Sequence, residues 1–107
     1  MLALGDSVSA RTLSSDTAVV QVSELPEQAR ETLTLIKRGG PFAYAQDGAV
    51  FVNRERLLPI APRGIYREYT VRTPGRADRG GRRIIASSSG QFWYSEDHYR
   101  SFRLIAE

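Results

Sequence analysis

The chain holds one histidine, His98, in the run Ser95-Glu96-Asp97-His98-Tyr99. An imidazole exchanges protons near neutral pH, so His98 is a candidate acid or base, although most lone histidines are structural or simply solvated. Metal ligation is set aside, because there is no second His, no Cys and no array of carboxylates at ligand spacing. A serine triad is disfavoured too, since no Gly-x-Ser-x-Gly element occurs, and the Ser-rich stretches leave it only weakly open. Three other side chains complete a set with the histidine. Glu68 lies within a strand-like run between Tyr66 and Tyr69, and Arg79 and Arg83 bracket the glycine turn Gly80-Gly81. Taken singly, Glu68 reads as an outward carboxylate paired with an arginine. Gathered around a phosphodiester, the four groups would do more. A carboxylate can remove the proton of a ribose 2′-OH, and an imidazolium can protonate the departing 5′-oxygen. Guanidiniums hold the charge that develops on the phosphorane oxygens.

Such a set acts only if the fold brings positions 68, 79, 83 and 98 together. Residues 1–18 are rich in Ser, Thr, Ala and Asp without a sustained period and read as a loose leader. Ala18-Val19-Val20-Gln21-Val22 is a strand candidate rich in β-branched residues. A helix follows, with Ser23 as its expected N-cap and Pro26 in its first turn. Leu25, Ala29, Leu33 and Ile36 make one apolar stripe, and Lys37 and Arg38 suit the negative end of the dipole. Gly39-Gly40-Pro41 stops the helix.

The remainder reads as short strands and tight turns. Ala49-Val50-Phe51-Val52 follows an Asp47-Gly48 turn signal. Ile65 to Thr73 is a strand that places Glu68, Thr70 and Arg72 on one face. Arg82 to Ser87 is the next, with Arg83 and Ile85 opposite Ile84; if the two pair as a hairpin, Glu68 and Arg83 share a face and Arg79 lies near its rim. Phe92-Trp93-Tyr94 begins another strand, and Phe102 to Ile105 is the last. One helix followed by paired strands predicts an α+β domain, the helix packed on a twisted antiparallel sheet.

The 107 residues fit one domain and leave no room for a second core. No apolar run is long enough to span a membrane, and Met1-Leu2-Ala3-Leu4 is too short for a signal-peptide core. The absence of cysteine excludes a disulfide scaffold. The net charge of +3 is modest, but the 15 cations are all Arg except Lys37. From Arg63 to Arg83 the only acids are Glu68 and Asp78. A basic stretch is often a solvated face, yet arginine's planar fork suits phosphate oxygens, so a nucleic acid or other polyanion is the sharper reading.

The stretches Leu33-Thr34-Leu35-Ile36, Gly40 to Gly48, Val50-Phe51-Val52-Asn53-Arg54-Glu55 and Tyr66 to Gly75, with Arg79-Gly80-Gly81-Arg82-Arg83-Ile84-Ile85 and Asp97-His98-Tyr99, together carry a resemblance. In order and spacing they resemble the guanyl-specific microbial ribonucleases of the RNase Sa and barnase type. The resemblance covers residues 19–105, shortened by about one residue near Ser87–Gly90, and long ordered segments are far more specific than a short motif. It implies Glu68 as general base, His98 as general acid, Arg79 and Arg83 as phosphate clamps, and Tyr99 as a phosphate contact. The implied base site is Phe51-Val52-Asn53-Arg54-Glu55. There Phe51 supplies a stacking face, backbone N–H groups near Asn53 and Arg54 meet guanine O6, and the Glu55 carboxylate accepts from N1–H and the N2 amino group.

The implied reaction needs no cofactor and takes single-stranded RNA to a 2′,3′-cyclic phosphate and then to a 3′-phosphate. A small acidic inhibitor of the barstar type is the implied partner of an otherwise monomeric, extracellular enzyme whose signal is absent from this chain. The same domain as the toxic tip of a larger delivered protein, or as a non-catalytic RNA-binding module, stays open. Two positions depart from the family pattern. Val52 stands where it has a polar glutamine, which implies a drier base pocket or a differently held loop. Gln21 stands where it has a disulfide cysteine, which implies lower stability without loss of chemistry.

Overall fold

The computed structural model describes residues 18–107, so the expected leader of residues 1–18 lies outside the described residues except for Ala18, which opens the first strand. Strand β1, Ala18–Gln21, opens the fold, followed by a 3-10 turn over Val22–Glu24 and helix α1, Glu27–Arg38. The expected cap at Ser23 is not used. Instead the Glu24 carboxylate accepts the Gln21 N–H at 2.9 Å and winds a tight turn around Ser23. Pro26 becomes the N-cap, with φ −56° and no N–H of its own to satisfy. At the other end Gly39 takes φ +89°, and its N–H, with that of Gly40, closes on the last carbonyls.

The expected apolar stripe is the face that α1 buries. Ala29 and Leu33, with Leu25 just before the helix, join Val20, Val71, Ile84, Tyr94 and Ile105 in one core, and Ile36 packs at its edge. Thr32 adds a polar tie, donating its hydroxyl to the Thr70 carbonyl at 3.3 Å. Each large aliphatic side chain sealed there contributes about 1.5–3 kcal/mol, enough to hold one face of the sheet against the helix.

Strands β2 (Tyr66–Thr70), β3 (Arg83–Ser87), β4 (Phe92–Ser95) and β5 (Arg103–Ala106) complete a five-stranded sheet in the order β1-β5-β4-β3-β2. The pairings from β2 to β5 are antiparallel, as expected, but β1 runs parallel to β5. The second face of the sheet has its own core of Leu58, Tyr66, Ile85 and Trp93, flanked by Phe51, Tyr99, Phe102 and Leu104. Leu58 and Phe51 come from the irregular segment before β2, which covers this face in place of a second helix.

Four expected strands differ in extent: the first ends at Gln21, with Val22 already in the 3-10 turn. Ile65–Thr73 shrinks to Tyr66–Thr70, because after Val71 the chain leaves for the Thr73–Arg76 turn; Arg72 is therefore exposed beyond the strand. Arg82 lies just outside β3, and β5 starts one residue later than Phe102. Ala49–Val52 is no strand, only a bridge of Val50 with Arg67. Gly48, at φ +92°, donates to Glu68 O at 2.8 Å while Glu68 N donates to Ala49 O at 2.9 Å. Two residues thus oppose one, a bulge that breaks the ladder. Asn53, at φ +60°, then turns the chain away.

Candidate active site

Glu68 occupies the middle of β2 on the face away from α1, which it shares with Tyr66 two residues before, and it is the residue the bulge opposes. Register places Glu68 opposite Ile85 and Thr70 opposite Arg83, so Glu68 and Arg83 are diagonal neighbours on one face. Arg83 Nε lies 4.0 Å from Glu68 Oε1, with the arginine side chain only 3% exposed. Its Nη1 donates to the carbonyls of Gly80 and Arg82 at 2.9 and 2.8 Å. The buried Nε has no hydrogen-bond partner, an unmet donor 4.0 Å from the carboxylate.

Arg79 folds back from the turn onto the same group. Its Nη2 donates to Glu68 Oε1 at 2.8 Å, and its Nε donates to Thr70 Oγ1 at 2.8 Å. Held at both ends of its fork, the guanidinium keeps one orientation. The Tyr99 hydroxyl donates to the same Glu68 Oε1 at 3.0 Å. Burial first, and then the carboxylate beside it, hold the Tyr99 hydroxyl above the ordinary phenol range, against the pull of Arg83 and Arg79. It therefore remains a donor. The Glu68 carboxylate thus sits among two guanidiniums and a phenol at the edge of solvent.

His98 and Tyr99 occupy the loop between β4 and β5, with φ of +57° and +74°. Two successive side-chain-bearing residues in this region cost free energy that the surroundings must offset. The His98 N–H donates to Gly81 O at 2.9 Å, which holds the loop against the turn that carries Arg79 and Arg83. The exposed imidazole stands beside the Tyr99 ring, with centroids 5.2 Å apart.

The expected base loop adjoins this group through Phe51, whose ring lies 4.7 Å from that of Tyr99 and 5.9 Å from that of Phe102. The loop turns at Asn53, where Arg56 N donates to Asn53 O at 2.9 Å, and Arg56 also has positive φ. The Asn53 amide ties the loop down. It donates to Leu58 O at 3.0 Å and to Pro59 O at 3.4 Å, and accepts from Leu58 N at 3.1 Å. Arg54 and Glu55 stand exposed at the tip, and Val52 is 50% exposed. With valine in place of a polar side chain, the loop presents apolar surface here.

The fold therefore brings Glu68, Arg79, Arg83 and Tyr99 into contact, sets Phe51 and His98 against Tyr99, and leaves Val52, Arg54 and Glu55 free on the adjoining loop. Sequence reasoning did not single out Thr70 as the second anchor of Arg79. Nor did it find the hydrogen bonds around Asp97, whose carboxylate accepts from Ser95 Oγ, Ser101 N and Ser101 Oγ at 3.0, 3.0 and 2.6 Å. Partial burial opposes the charge on Asp97, but these hydrogen bonds outweigh it and lower its pKa. The available signal was local: short polar side chains at two- and four-residue spacing favour bonds with nearby backbone.

A carboxylate, an imidazole and clustered guanidiniums on a strand-built face define a class, the phosphodiester-cleaving enzymes that work by acid–base chemistry. The chain matches the ribonuclease family model over residues 7–106. It is 51% identical over 85 residues to guanyl-specific ribonuclease St of Saccharopolyspora erythraea, covering 79% of this chain and 84% of that one. With guanyl-specific ribonuclease Sa3 of Kitasatospora aureofaciens it shares 58% identity over 87 residues, 78% of this chain and 60% of the relative. A crystal structure of ribonuclease Sa2 with guanosine-2′-cyclophosphate superposes with a TM-score of 0.81 at 47% identity, covering 84% of this chain and 96% of that one. The chain belongs to the guanyl-specific microbial ribonuclease family.

Proposed function

We propose that this protein cleaves single-stranded RNA on the 3′ side of guanine, with Glu68 as general base and His98 as general acid. The observation that carries the reading is the half-buried Glu68 carboxylate, hydrogen-bonded by Arg79 and Tyr99 and diagonal to the buried Arg83 guanidinium. A phosphate lodged against these donors would place its ribose 2′-OH beside the carboxylate. Glu68 takes that proton as the 2′-oxygen attacks phosphorus, and His98, as imidazolium, protonates the leaving 5′-oxygen. Arg79, Arg83 and the Tyr99 hydroxyl stabilise the charge on the phosphorane oxygens. Water then opens the 2′,3′-cyclic phosphate to a 3′-phosphate with the two residues exchanging roles. A guanosine cyclophosphate bound by ribonuclease Sa2 matches the expected intermediate class.

Guanine is read on the loop Phe51–Glu55. Phe51 stacks, backbone N–H groups near Asn53 and Arg54 meet O6, and the exposed Glu55 carboxylate takes N1–H and the N2 amino group beside it on the same edge. The mechanism requires no metal ion. Among the described residues no three His, Cys, Asp or Glu side chains are grouped to hold one. Because it would destroy the RNA of its own cell, the enzyme acts extracellularly, or as the tip of a larger delivered protein, and is held in check by an acidic inhibitor.

The test is the pair Glu68→Gln and His98→Gln. Each is expected to lower turnover on a guanosine dinucleotide by about 100- to 10,000-fold, the range for one positioned proton-transfer group. The wild-type rate should be bell-shaped in pH, with one limb lost in each variant. Near-normal turnover by Glu68→Gln would remove it as the base.

A further inference from the structure

Between β4 and β5 the chain must present an imidazole and a phenol side by side in a backbone conformation that neither residue favours. His98 and Tyr99 both take positive φ, +57° and +74°. Asp97, the residue before them, spends its carboxylate on Ser95 and Ser101 rather than on the Glu68 cluster. Its carboxylate bridges the two flanks of the loop, accepting from Ser95 Oγ at 3.0 Å on one side and from Ser101 N and Oγ at 3.0 and 2.6 Å on the other. Ser95 is 1% exposed, and its Oγ also accepts the Tyr99 N–H at 2.9 Å. The backbone of Tyr99 is thus tied to Asp97 through one buried hydroxyl, while that of His98 is tied to Gly81 O at 2.9 Å.

We propose that Asp97 is a positioning residue for the reaction. Its carboxylate closes the Ser95–Ser101 segment into a rigid loop and so fixes where the His98 imidazole and the Tyr99 hydroxyl stand relative to Glu68. The inference rests on His98 acting as general acid. A carboxylate suits this place because a single group must accept hydrogen bonds from three donors on two sides. Removing it frees a loop whose dihedrals are unfavourable, and the loop relaxes away from the observed geometry. The imidazole is exposed and is not clamped by packing, so its position depends on this backbone. A displacement of about 1 Å in such a group costs on the order of 100-fold in rate. Recognition of the guanine donors by Glu55 should be nearly untouched, since Glu55 and the Asn53 turn belong to another segment.

The test is a double-mutant cycle in turnover of a guanosine dinucleotide, run well below the unfolding midpoint of every variant. Asp97→Ala is expected to lower kcat by between about tenfold and about 100-fold, with KM changed by less than about threefold. Asp97→Asn, which keeps one acceptor oxygen and the shape, should recover most of that loss. In a His98→Gln background the fold-loss caused by Asp97→Ala should shrink by at least about threefold, because one of the two groups it positions is already gone. If Asp97→Ala does not fold, Ser95→Ala, which removes one of the two flanks that Asp97 bridges, takes its place in the cycle with the same expectation. Unchanged kcat in the single variant, or an equal loss in both backgrounds, overturns the proposal. Near-normal turnover by His98→Gln alone would instead overturn the assignment of the general acid, and with it the ground on which this inference stands.

Discussion

Guanine differs from the other bases by presenting N1–H and the N2 amino group side by side, and one carboxylate can accept from both. Glu55 is exposed on the loop tip and has no ion-pair partner among the described residues, so its carboxylate is available for that task. Glu55→Ala is expected to lower kcat/KM on guanosine dinucleotides by about 100-fold or more, with much smaller losses on the other bases, because unmet polar groups dominate such discrimination. Stability should move by less than about 0.5 kcal/mol, as for an exposed side chain without contacts. Specificity constants for the four bases, measured beside a denaturation curve, check both halves. An unchanged preference would show that guanine is read elsewhere. At this scale the site residues on strands were legible, since a period of two puts Glu68 and Arg83 on one face once their strands pair. Thr70 was not, because its role depends on where the Arg79 side chain returns after the turn.

Elements were legible where a local signal decides them. The stripe of α1, its glycine stop and the β2–β3 hairpin follow from periodicity and turn residues. The parallel pairing of β1 with β5 is a contact between the two ends of the fold, and no local pattern encodes it. Ala49–Val52 has strand composition, yet the Gly48 bulge and the Asn53 turn override it. That turn is where an element controls function. The Asn53 side chain holds the loop through Leu58 and Pro59 while its backbone adopts a conformation asparagine tolerates better than most residues. Asn53→Ala is expected to cost about 1–3 kcal/mol in stability and to raise KM for guanosine dinucleotides more than it lowers kcat. Urea denaturation and steady-state kinetics read the two effects separately. A variant with unchanged midpoint and KM would mean that the loop is held by packing alone.

Over the whole molecule the charge is only +3, but Arg79 and Arg83 converge on one face around a site suited to a phosphate. An acidic protein could present a carboxylate to the same donors, which is the physical basis for inhibition by a barstar-type partner. Such an inhibitor is expected to act competitively, to associate more slowly as salt rises, and to lose about 2 kcal/mol or more of affinity against Arg79→Ala or Arg83→Ala. Full activity in excess inhibitor at low salt would exclude that partner while leaving the enzyme's chemistry intact. The central claim is that this face performs metal-free, guanine-directed acid–base cleavage. It is tested most directly by turnover of GpU, ApU, CpU and UpU with and without a chelator. The account predicts that GpU is converted to guanosine 2′,3′-cyclic phosphate at the same rate in chelator, with the other three far slower. Binding of GpU without turnover, as from an RNA-binding module on this scaffold, or turnover abolished by the chelator, would contradict it.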